Sequence, residues 1–131
     1  MKVRVAQNED GPRIGELAAF SGFAIEGIDW SRVHPFWLVA ERDKIVIGAL
    51  QIILSCPIGW LEMLSVDPEL SHIQRAKTTK ALVNGGLLSL KRFGAQVAMW
   101  SVPFELKSYK KILKKRGAVV TSSGNQLAKL L

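Results

Sequence analysis

Lys2 to Ala6 reads polar, apolar, polar, apolar, apolar, the period of a short half-buried strand. The period then changes to a helical one. Ile14, Leu17 and Ala18 recur on one stripe behind Asp10, a residue type suited to an N-cap, and Pro12, which suits a first turn; Gly22 supplies the stop. A short irregular or helical piece, Ile25–Val33, leads to Pro35. Phe36–Glu41 and Ile45–Leu54 are strand-like and flank the polar turn Arg42-Asp43-Lys44, which predicts a hairpin. Pro57 and Gly59 separate the second of these from a third strand, Trp60–Val66, and Asp67-Pro68-Glu69 ends it.

From about Arg75 to Phe93 the spacing is helical again, carried by Leu82, Val83, Leu87 and Leu90, with Gly94 just past the end. Gly85 and Gly86 inside that helix each cost about 1 kcal/mol relative to Ala, which predicts that something packs closely against them. Gln96–Val102 reads as a strand and Leu106–Arg116 as a basic helix closed by Gly117. Ala118–Thr121 and Gln126–Leu130 flank Ser123-Gly124-Asn125 as a terminal hairpin.

Three consecutive antiparallel strands followed by a strand–helix–strand unit predict an α/β (α+β) fold with a mixed, mostly antiparallel central sheet flanked by helices. Ligands favour the carboxyl end of a strand that faces a helix N-terminus, which points to the segment Val66–Lys80. The 131 residues, 48% hydrophobic and 22% charged, fit one globular domain over 1–131. The longest uncharged stretch, Ile45–Leu61, is 17 residues and is interrupted by Gln51, Pro57 and Gly59, short of the ~20 a membrane helix needs. No basic stretch followed by an apolar run opens the chain, so the expected location is cytoplasmic. The single cysteine, Cys56, excludes an internal disulfide framework and a cysteine-rich zinc site; His34 and His72 have no metal-ligand spacing, so no metal site is expected.

Charge divides the chain. Residues 1–73 carry net −4, and residues 74–116 carry eleven Lys/Arg against Glu105 alone, net +10. That basic half fits an anionic partner such as a phosphorylated cofactor, a nucleic acid or an acidic protein, or simply a solvated lysine-rich helix pair. Lys107, Lys110, Lys111, Lys114, Lys115 and Arg116 cannot all share one helix face; Lys110 and Lys114 lie one turn apart on a shared face. The four tryptophans, Trp30, Trp37, Trp60 and Trp100, are spread over different elements and read as core anchors.

The element order resembles the GNAT family of N-acetyltransferases over nearly the whole chain. The resemblance rests on Trp37-Leu-Val-Ala-Glu-Arg-Asp-Lys-Ile-Val-Ile-Gly48, on Leu64-Ser-Val-Asp-Pro-Glu69 and on Leu113-Lys-Lys-Arg-Gly-Ala118. It implies a GNAT-like acyl-CoA N-acyltransferase fold, acetyl-CoA as co-substrate and an amine-bearing small molecule or protein as acceptor. The family's pyrophosphate loop, Arg/Gln-x-x-Gly-x-Gly/Ala, is set against Gln74-Arg75-Ala76-Lys77-Thr78-Thr79, where Lys77 and Thr79 replace the glycines. With Leu64, Ser65 and Val66 these form the implied cofactor site.

The family often places a tyrosine where this chain has Leu113; Tyr109, one turn earlier, is the implied acid for the departing thiolate, and otherwise a packing residue. Glu62, the only acid between Asp43 and Asp67, lies in the apolar run Trp60–Leu64, where desolvation raises a carboxyl toward general-base range. Read without the resemblance it is an edge or surface glutamate. The resemblance implies that a backbone N–H near Ser65 or Val66 polarises the acetyl carbonyl. The lysine-bearing loop and the segment Lys107–Val119 also resemble small bacteriophage proteins with degenerate GNAT folds. That likeness implies a catalytically silent, virion-associated protein engaging nucleic acid or an acidic protein.

Overall fold

The computed structural model describes residues 1–102, 107–121 and 126–131. Strand β1 (Lys2–Val5) leads through a 3-10 turn to helix α1 (Gly11–Phe20), then the short α2 (Trp30–Val33). Strands β2 (Trp37–Arg42), β3 (Ile45–Ser55) and β4 (Ile58–Val66) precede the long helix α3 (His72–Arg92). Strand β5 (Val97–Ser101), helix α4 (Lys107–Lys115) and strands β6 (Val119–Val120) and β7 (Gln126–Leu130) complete it. The expected turn at Ser123-Gly124-Asn125 and the expected helix start at Leu106 lie outside the described residues.

One seven-stranded sheet runs β1-β2-β3-β4-β5-β7-β6. Every neighbouring pair is antiparallel except β4 and β5, which α3 joins in parallel. The mixed sheet expected from the element order is therefore present. Asp43 and Lys44 form the β2–β3 turn with φ of 52° and 65°. Two left-handed residues give a turn whose twist matches that of the strands, and Asp tolerates the conformation without a glycine.

Asp10 acts one turn earlier than its position before α1 suggested. Its carboxylate accepts the N–H of Gln7 at 2.7 Å and pairs with the Arg4 guanidinium at 2.7 Å, so it closes the 3-10 turn and makes no side-chain cap on α1. The Arg4 charge holds the Asp10 carboxyl below its ordinary range.

Helix α1 buries Ile14, Leu17 and Ala18 on one face of the sheet, over Trp37, Val39, Val46 and Ala49. Helices α3 and α4 cover the other face, where Leu82, Val83, Leu90 and Leu113 meet Leu38, Leu50, Leu61, Trp100 and Leu127. The glycine pair in α3 explains the close approach. A Cβ built on Gly86 would stand 2.8 Å from Leu61 Cδ2 and 3.0 Å from Leu50 Cδ2. Gly86→Val is therefore expected to overpack this seam and destabilise by roughly 1–3 kcal/mol despite its better helix propensity. The check is a lower urea midpoint at unchanged slope; an unchanged midpoint would show that the seam has slack.

Candidate active site

Strands β4 and β5 pair only where Ile58–Trp60 face Val97–Met99, although β4 continues to Val66 and β5 to Ser101. Beyond Trp60 the two strands part. Met63 sits near the parting with φ 51°, and the β3–β4 ladder slips between Ala49 and Gln51. One left-handed residue inside a strand bends it and increases its twist, so the carboxyl half of β4 turns away from β5. Such a conformation in a non-glycine residue costs about 1–3 kcal/mol, and strain of this kind concentrates at functional sites.

The parting exposes one backbone edge. The Asp67 N–H donates to the Ile47 carbonyl at 2.9 Å, so strand alternation points Ser65 at β3 and the N–H groups of Leu64 and Val66 into the gap. Of the two amides expected from sequence, Val66 faces the opening and Ser65 does not. Ser65 is buried, and its hydroxyl donates to the Met63 carbonyl at 3.1 Å.

A cavity of about 220 Å³ occupies the gap, walled by Leu61, Met63, Leu64, Arg75, Ser101 and Tyr109 and closed by Phe20, Ser21 and Phe23. Glu62 stands beside it on the α1 face of β4, and its Oε1 accepts the Ser101 N–H at 3.2 Å. Burial pushes the Glu62 carboxyl up, against the opposing effect of the Ser101 hydrogen bonds. Tyr109 reaches the cavity from α4, only 9% exposed; burial first, then the Glu62 charge, pushes its phenol well above the ordinary value. A larger, more open cavity of about 550 Å³ lies outside α1, between Gly11, Gly15 and Ala19 and the loop 22–28; among the described residues its titratable wall is Glu26. The two share Phe23, and the smaller one is the one walled by Arg75 and Tyr109.

Of the residues expected from sequence, Glu62, Leu64, Arg75 and Tyr109 come together at this gap. The segment 74–79 does not form a loop. Helix α3 begins at His72, three residues before the expected start, because Ser71 and Gln74 form a capping box. Ser71 Oγ accepts the Gln74 N–H at 3.2 Å and Gln74 Oε1 accepts the Ser71 N–H at 3.1 Å. Ala76 and Lys77 lie in the second turn, with Lys77 exposed. Thr78 and Thr79 are buried against the sheet, and Thr78 Oγ1 donates to the Gln74 carbonyl at 2.7 Å. Their amides are inside the helix and are not phosphate donors.

The Arg75 N–H bonds the Ser71 carbonyl at 2.9 Å, and among the described residues only the N–H groups of His72 and Ile73 at this helix start lack a partner. The pattern Ser-x-x-Gln at 71–74 is the signal that would have placed them. Leu113 is fully buried in the core, so Tyr109 alone presents a phenol to the cavity.

The basic residues of α4 and its C-terminal end differ in exposure. Lys107, Lys111, Lys114 and Lys115 are exposed, whereas Lys110 and Arg116 are half-buried. Arg116 donates to Asn84 Oδ1 of α3 at 2.7 Å. Lys110 and Lys114 lie one turn apart in α4, with Lys110 the more covered of the two.

No protein-family model matches this sequence, and no curated protein is similar to it in sequence. The fold has many solved counterparts. The PaiA N-acetyltransferase from Thermoplasma acidophilum, solved with coenzyme A, is 17% identical, with a TM-score of 0.77 over 99% of this chain and 98% of that one. The putative acetyltransferase YncA from Salmonella typhimurium, solved with acetyl-CoA, is 14% identical, with a TM-score of 0.78 over 100% and 94%. The N-acetylglutamate synthase from Neisseria gonorrhoeae, solved with coenzyme A and L-arginine, has a TM-score of 0.80 at 14% identity; 99% of this chain spans 33% of its length. At these identities the likeness establishes the fold, which is that of the GNAT acyl-CoA N-acyltransferases.

Proposed function

We propose that a chain with this fold, opened at this point of its sheet, transfers an acetyl group from acetyl-CoA to an amine. The single observation that carries the reading is the parting of β4 from β5 near the Met63 bulge, with Tyr109 lining the cavity it leaves and Glu62 beside it on the Ser101 N–H. The coenzyme A and acetyl-CoA bound in the structures of like fold support the choice of donor.

The residues present fit that donor. The unpaired edge at Leu64 and Val66 offers amides and carbonyls for an extended pantetheine arm. The N-terminus of α3, with the His72 and Ile73 N–H groups, favours the pyrophosphate, and Arg75 and Lys77 add positive charge beside it. Gln74 acts indirectly, by holding the first turn of α3, and Ala76, Thr78 and Thr79 contribute helix and packing. The bound donor supplies an activated acetyl thioester.

The chain's own groups do the rest. Glu62, its carboxyl raised by burial, accepts a proton from the acceptor ammonium. The Leu64 or Val66 N–H polarises the acetyl carbonyl, and the Tyr109 hydroxyl donates its proton to the departing thiolate. The acceptor enters past Phe20, Ser21 and Phe23.

Acetyl-CoA at about a hundredfold its dissociation constant is expected to raise the melting temperature by roughly 10 °C. Arg75→Ala should weaken that response. No shift at millimolar acetyl-CoA would overturn the reading and leave the fold without its donor.

A further inference from the structure

Helix α1 covers Trp37 and Val39 of β2 and Val46 and Ala49 of β3, and packs on β4. On that same face the strand register builds a row that nothing described covers: Ile53 beside Trp60, Trp60 beside Met99, Met99 beside Ala128, Ala128 beside Val119. A second row sets Ile58 beside Val97 and Val97 beside Leu130. Alternation confirms the face, because Gly59 and Leu61, between these positions on β4, meet Leu90 and Gly86 of α3 on the other side. None of the residues in the two rows is buried; Val119 is 65% and Leu130 82% exposed.

A sheet face left to water normally carries polar residues at alternate positions. These two rows hold no charged side chain among the described residues, and their polar member is Ser55, opposite Ile58 at the β3 end of the second row. The next row, Gln51 with Glu62 and Ser101 with Gln126, is polar and borders the candidate active site. The face is thus divided into a polar strip and an apolar field with Trp60 and Met99 at its centre. Contiguous apolar fields of this kind mark interaction surfaces, and a central tryptophan is the commonest anchor.

We propose that the field is covered by a second copy of this chain, sheet face against sheet face. A twisted sheet face is complementary in shape to another copy of itself, and two such faces interdigitate about 10 Å apart. A two-fold axis places the same apolar rows on both sides and closes the assembly as a dimer. The charge distribution permits it. The eleven Lys/Arg of residues 74–116 belong largely to α3 and α4, on the opposite side of the sheet, so both basic layers face outward. Their separation then exceeds the Debye length of about 8–10 Å, and the net +7 per chain opposes pairing little. Five strands about 4.8 Å apart give a field on the order of several hundred Å² per copy, which predicts a weak, concentration-dependent dimer.

Sedimentation velocity on the full chain between about 1 and 200 μM tests this. The wild type is expected to pass from monomer to dimer in that range, and the dimer should survive about 1 M salt because no ion pair holds it. Met99→Lys and, separately, Leu130→Lys should weaken association at least roughly 30-fold. Leu130 is too exposed for its replacement to unfold the chain, and matching melting curves verify this. Lys111→Glu, on the far side of the sheet, should leave the dimer unchanged. A wild type that stays monomeric throughout, a dimer that dissolves in salt, or one indifferent to both lysine substitutions would each overturn the proposal.

Discussion

Glu62→Gln is expected to lower acetyl transfer by roughly 10²–10⁴-fold at neutral pH, the range for loss of a positioned general base. The wild-type rate should rise with pH through a value above the ordinary carboxylate range, because burial pushes Glu62 up. That limb should vanish in the variant. The substitution should also affect stability with a definite sign. A carboxyl whose folded value is raised contributes stability that is fully present below its unfolded value and is lost as pH rises through the folded one. At neutral pH the charged, half-buried Glu62 is therefore a cost that glutamine removes. The variant should melt no lower than wild type near pH 7, with the difference closing toward about pH 4. Thiol release with an accepted amine, alongside melting curves at both pH values, checks the pair of effects. Full turnover in the folded variant would remove Glu62 from the mechanism, and a variant less stable at neutral pH would contradict the burial argument.

Tyr109→Phe should lower the rate with coenzyme A as leaving group by roughly 10²-fold or more, the lower end of the general-acid range. The phenylalanine keeps the ring packed against the core, so folding should be retained. Burial and the Glu62 charge both keep the phenol protonated through the neutral range, which is the state a proton donor needs. The decisive readout is the leaving group. An acetyl donor whose departing anion is a much weaker base than a thiolate needs no proton, and with it the Tyr109→Phe deficit should shrink. An equal deficit with both donors would make Tyr109 a packing residue.

The clearest sequence signals were those with a local cause. The turn at Arg42-Asp43-Lys44, the stripe Ile14-Leu17-Ala18 and the close approach at Gly85-Gly86 each follow from a few neighbouring residues, and each is present in the fold. Glu62 was conspicuous as the only acid between Asp43 and Asp67, in an apolar strand run where burying its carboxyl is costly. Hydrophobic spacing puts the start of α3 three residues late, because it begins only after the first turn. The capping pair Ser71 and Gln74 sets the boundary, and neither residue contributes to that spacing.

What the sequence determined by itself was the order and period of the elements, the mixed sheet and the segregation of charge, since these depend on side chains read along one dimension. Only the tertiary structure decided which groups share a space. Glu62 and Tyr109 come to one gap because β4 and β5 part beyond Trp60, near Met63, whose left-handed conformation no propensity scale assigns. The same holds for the two open apolar rows. Their members come from five strands between Ile53 and Leu130, and cross-strand register, a long-range quantity, is what makes them one surface.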